Sequence, residues 1–165
     1  MLKSLLVLLA FVSFSEATLA QSNEYWNSQN LREDMNCLLQ ITRKRMGSTK
    51  ATPAPNLKIE SETPLIDFQD AMEKWWNMRP DFFLNVYDAN NNTIYLMNKK
   101  TSFKYPRTPV DSLVHELAHF VQFQDQNGGS GDEDFLESEA VKVQTWFREN
   151  LGDKIQNEKY QGPCE

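Results

Sequence analysis

Both histidines of this 165-residue chain lie in one pentapeptide, His115-Glu116-Leu117-Ala118-His119. On an α-helix, residues four apart share a face, so the two imidazoles project together and can reach one metal ion. The glutamate between them points away from that ion and toward a water beside it, the arrangement of an H-E-x-x-H zinc helix. Val110, Leu113, Val114, Leu117 and Val121 form an apolar stripe next to the histidines. One side of this helix is therefore predicted to anchor in a core while the other lines a cleft. Thr108-Pro109 opens the helix with Asp111 in its first turn, and it should run to about Gln126, before Gly128-Gly129-Ser130-Gly131.

The remaining chain reads as one domain with more helix than strand. Residues 24–46 form an amphipathic helix carrying Trp26, Leu31, Met35, Leu38, Leu39 and Ile41, ended by Gly47. Residues 48–56 read as a loop. Thr63-Pro64 is a helix start for Leu65, Phe68, Met72, Trp75 and Trp76, which should stop before Pro80. Residues 82–87 and 93–97 read as a β-hairpin around the turn 88–92. A last helix begins near Asp132 and runs to about Leu151, its acidic first turn suiting the helix dipole. The expected class is α+β, mostly helical, with a small antiparallel sheet beside the metal-site helix. Trp26, Trp75, Trp76, Trp146, Phe120, Phe123 and Phe147 are read mostly as core.

Residues 1–20 have the character of a secretory signal peptide: Lys3, an apolar run from Leu5 to Val12, and small residues from Ala17 to Ala20. Cleavage after Ala20 would leave a secreted or periplasmic domain from Gln21 to Glu165 with no stable membrane insertion; cleavage after Ala17 is the other option. That segment holds one Lys and one Glu, so the mature chain keeps the net charge of −6. An acidic domain is a poor match for nucleic acid phosphates. The one basic cluster, Arg43-Lys44-Arg45, is read as complementing a helix C-terminus. Cys37 and Cys164, the only cysteines, could pair in an oxidising compartment, and Asn91-Asn92-Thr93 is a glycosylation sequon in a eukaryotic one.

A catalytic zinc keeps three protein ligands and one open position. With no third histidine and both cysteines remote, the third ligand should be a carboxylate of the last helix, which offers Glu133, Asp134, Glu137 and Glu139. Glu139 has Phe135, Leu136, Val143 and Trp146 as helical neighbours, and a carboxylate on an apolar stripe needs a cation. The competing reading pairs it with a buried Lys or Arg. Glu137 shares its face with Glu133, Asp134 and Arg148 and is expected to be solvated.

His115-Glu116-x-x-His119, nineteen intervening residues and then Glu139-Ala140 resembles the gluzincin branch of zinc metallopeptidases, the thermolysin-like enzymes. The resemblance spans about residues 82–148, and the chain is similar in size to minimal single-domain members. It implies a zincin-like domain, with residues 82–151 as metal-site core and residues 24–47 as an added N-terminal helix. It also implies one Zn²⁺ on His115, His119 and Glu139, Glu116 as general base, and a peptide or protein substrate paired with the strand at 93–97. The family's usual aspartate one turn after the glutamate is Val143 in this chain. Its usual oxyanion-holding His or Tyr has no fixed counterpart, with Tyr160, Tyr105, Tyr95 and Arg107 available. The expected activity is peptide-bond hydrolysis. The alternatives are a zincin-fold binding or regulatory protein without turnover, and a latent peptidase covered by its N-terminal helix.

Overall fold

A computed structural model describes residues 26–104, 106–126 and 132–152. The expected signal peptide, Tyr105, Tyr160, Cys164 and the glycine-rich break lie outside these residues. Helix α1 spans Ser28–Arg45 and starts later than the periodicity suggested. Asn27 sets the boundary, its side-chain oxygen accepting from the backbone N–H groups of Gln29 and Asn30. The helix ends in a Schellman turn. Ser48 N–H donates to Arg43 O at 2.9 Å and Gly47 N–H to Lys44 O at 3.3 Å. Gly47 has φ +69°, which a residue lacking Cβ adopts without strain.

Strand β1, Asn56–Ile59, follows, a segment with no periodic signature of its own. Helix α2, Leu65–Trp76, begins after Pro64 with no side-chain cap, so the expected Thr63 cap is not made. It stops at Asn77, which is left-handed at φ 51°, three residues ahead of Pro80. Strands β2, Val86–Asp88, and β3, Thr93–Leu96, form the expected hairpin. Asp88 closes its turn by accepting from the N–H groups of Asn90 and Asn91.

The sheet is mixed, not purely antiparallel. Its order is β1-β3-β2, with β1 parallel to β3 in the register Asn56↔Thr93 to Ile59↔Leu96. Strand β3 is therefore central and hydrogen-bonded on both sides. The expectation that an extended substrate pairs with residues 93–97 fails on this topology, because no free edge remains there. All four residues of β3 are buried, which accounts for the consecutive Ile94, Tyr95 and Leu96.

Two cores flank the sheet. Ile59, Ile94 and Leu96 join Leu31, Leu38 and Leu39 of α1 and the buried faces of the last two helices in the main core. On the opposite side Tyr95 packs with Phe68 and Met72 of α2 and with Phe83. Phe120 and Phe147 are core as expected, whereas Trp75 and Trp76 are 37 % and 42 % exposed.

Helix α3, Pro109–Phe120, carries the pentapeptide and packs on α1, on the sheet and on helix α4, Glu133–Leu151. A capping box starts it. Thr108 Oγ1 accepts from Asp111 N–H, and the Asp111 carboxylate accepts from Thr108 N–H at 2.6 Å. Replacing Thr108 by Ala should lower unfolding free energy by about 1 kcal/mol, read as a shift in urea midpoint at constant slope. Beyond Phe120 the helix widens into a π turn, Val121–Asp125, closed by Gln126 N–H donating to Val121 O at 3.0 Å. No described helix is long and apolar enough to cross a membrane.

Candidate metal centre

The pentapeptide folds as its spacing demands. His115 and His119 stand one turn apart with ring centres at 4.8 Å, their Nε2 atoms 3.1 Å from each other. The carboxylate that meets them is Glu137. Its Oε2 lies 3.2 Å from His119 Nε2 and 3.5 Å from His115 Nε2. These three donor atoms form the one His/Cys/Asp/Glu cluster among the described residues that could hold a metal ion.

Glu139 sits elsewhere. Its Oε2 accepts a hydrogen bond from Gln122 Nε2 at 2.9 Å, so the partner it meets is a side-chain amide. The reason lies in the seam between α3 and α4, which is polar. Arg148 Nε donates to the buried Asp111 carboxylate at 2.6 Å, Gln144 lines the cleft beside His115, and Glu137 reaches His119. The two helices thus run antiparallel, and positions 137, 144 and 148 face the metal-site helix. Phe135, the apolar neighbour that drew attention to Glu139, is 62 % exposed. The spacing of Glu137, Gln144 and Arg148, seven and four residues, was the signal available in the sequence. Gln122 was missed as well, although it lies on the His119 face, three residues on.

The donor set fits a small divalent cation. Tetrahedral zinc with bonds of about 2.0–2.1 Å separates its ligand atoms by about 3.3 Å. The observed separations of 3.1, 3.2 and 3.5 Å bracket that value. Burial and the neighbouring His119 hold the proton affinity of His115 below the ordinary imidazole range, against the pull of Glu137. A ring that stays neutral keeps a lone pair for a metal.

Glu116 is 5 % exposed and opens onto a cleft of about 220 Å³ shared with His115, Asn85, Arg107, Ser112 and Gln144. Burial first, then the charge of Glu137, push its carboxyl up to about 8, while a backbone hydrogen bond from Tyr87 works in the opposite sense. A cation held by the histidines would favour its ionised form. Of the expected oxyanion donors, Arg107 lines this cleft and Tyr95 packs in the α2 core. No residue of α1 lines the cleft, and its buried leucines belong to the main core. Cys37 of α1 is not a free thiol. The arrangement as a whole is a potential metal site on a helix pair, with a buried carboxyl beside it. No family model, characterised protein or solved structure matches this chain.

Proposed function

We propose that the chain is an exported protein binding one zinc ion through His115, His119 and Glu137, and that the site serves peptide-bond hydrolysis. The observation that carries this reading is the convergence of three donor atoms within 3.5 Å of one another beside a buried glutamate that ligates nothing. Three protein ligands and an adjacent cleft match a catalytic zinc, which leaves one position open. When bound, the ion supplies Lewis-acid polarisation of a water and of a substrate carbonyl. Glu116 accepts the proton of the attacking water and returns it to the leaving amine. Arg107 at the cleft offers a cationic donor to a developing oxyanion. A peptide substrate follows from the gluzincin-like pentapeptide, with Glu137 replacing Glu139 as the third ligand.

One observation favours a second reading, a metal-binding or regulatory protein without turnover. Among the described residues lining the cleft there is no tyrosine and no histidine beyond His115. Elemental analysis and peptide cleavage on the same preparation test both readings. The expected result is one zinc per chain, cleavage of a casein-derived peptide library, loss of cleavage with chelator and recovery with zinc. Glu137→Gln should strip the metal and Glu139→Gln should retain it. One zinc with no cleavage selects the second reading; no zinc at any loading rejects both.

A further inference from the structure

We infer that the cleft beside the metal centre selects a substrate carrying a carboxylate, with Arg107 as the specificity-determining residue, a preference that rests on the peptidase reading of the same site. The chain has six arginines. Arg32, Arg43, Arg79 and Arg148 each form an ion pair, and Arg45 lies over the ring of Trp146 at 5.1 Å. Arg107 is the exception. Among the described residues its guanidinium meets no carboxylate, and it lines the cleft that holds His115 and Glu116. With 23 acidic residues against 17 lysines and arginines, the chain has no shortage of partners for it. Its backbone is nevertheless held. Arg107 N–H donates to Lys104 O at 2.9 Å, and the next residue, Thr108, caps α3. The side chain therefore leaves a set point at the edge of the cleft.

The remaining lining suits an anion. Glu116 is the one acid among the described residues that line the cleft, and no ion pair joins it to Arg107. Asn85 Oδ1 is taken by Met97 N–H at 2.7 Å, which leaves the Asn85 amide its N–H groups to offer. A guanidinium presents two N–H groups in the fork that a carboxylate matches. A peptide has two sources of that group, its C-terminal end and an Asp or Glu side chain. A substrate lysine or arginine would instead meet like charge at Arg107. Because Arg107 is exposed, water weakens the pair, and a preference of about 10-fold is expected, the low end for a hydrogen bond to a charged group.

The test uses the zinc-loaded full chain and peptides of one sequence in two matched pairs, free C-terminal acid against amide and internal Glu against Gln. At least one acid form should exceed its neutral partner by about 10-fold in kcat/KM, through KM, and the pair that responds identifies the source. Arg107→Gln should bring that ratio to about 1, and Arg107→Glu should invert it. Help from Arg107 to an oxyanion alters all four peptides alike and cancels in the ratio. Ratios of about 1 for both pairs in the wild type, or a preference that survives Arg107→Gln, overturn the proposal. The first criterion needs no variant to fold. Cleavage without preference rejects the carboxylate selection and keeps the peptidase. Should no peptide be cleaved, the same four are titrated as ligands and followed by the ¹⁵N–H signal of the Arg107 side chain. Tighter binding of an acid form then upholds the carboxylate site and rejects the peptidase; equal binding, or none, rejects both.

Discussion

On the proposed mechanism, Glu116→Gln should reduce peptide cleavage by about 10²–10⁴-fold and leave one zinc on each chain, the range set by losing a general base. The separation of the two readouts follows from where the side chain stands. Glu116 belongs to the helix that carries both imidazoles, yet it lies outside the donor cluster and opens onto the cleft. Gln has the same shape, so the buried site keeps its packing and loses only the proton acceptor. His119→Ala should behave otherwise, because it removes a candidate metal donor and also the ring whose Nδ1 meets Gln122 Oε1. Both metal and cleavage should disappear together. Undiminished cleavage by Glu116→Gln, in a preparation whose His119→Ala counterpart is inactive, would show that another group moves the proton.

The helix bearing that glutamate was legible in the sequence because each local signal agreed. Thr108, Pro109 and Asp111 define its start, and its apolar stripe is buried as spaced. The second half of the site was not legible for a definite reason. Apolar periodicity identifies the face of α4 that enters the core, through Ala140, Val143 and Phe147. The candidate ligand Glu137 lies on a neighbouring polar seam with Gln144 and Arg148, whose shared face shows only when α3 is set against them. Strand β1 escaped for a related reason. Four residues, Asn56–Ile59, with alternating burial carry too little pattern to stand out, and only pairing with β3 defines them as strand. That pairing made β3 central and removed the substrate edge that a lone hairpin would have offered. The basic cluster does occupy the last turn of α1, where it complements the helix C-terminus, but the sequence carried no sign that one member is buried. Arg43 in fact points inward, toward an acid 82 residues later in the chain.

Removing either member of that pair should cost about 3–5 kcal/mol of stability at neutral pH, the range for a buried ion pair left with one charge. Arg43 is 4 % exposed and its Nε donates to Asp125 Oδ2 at 2.8 Å. Ser48 Oγ donates to the same oxygen at 2.9 Å, and Thr52 Oγ1 bonds the other. The guanidinium is completed by Thr52 O at 2.7 Å and by the face of Phe120. Neither charge is left without hydrogen bonds, and the pair joins the end of α1, the following loop and the π turn. Burial alone would raise the Asp125 carboxyl, but hydrogen bonds from Arg43, Thr52 and Ser48 outweigh it and hold the group below the usual aspartate range. The sign of the pH dependence follows. Stabilisation is fully present above the unfolded aspartate value, about 3.9, and is lost as pH falls through the lower folded value. Urea unfolding of wild type and Asp125→Ala should therefore differ most at pH 7 and converge in acid. The double variant Arg43→Met/Asp125→Leu should recover much of the loss, since apolar replacement of both partners removes the stranded charge. A gap between wild type and Asp125→Ala that is unchanged down to pH about 2 would mean that packing, not the carboxylate charge, fastens the π turn to α1.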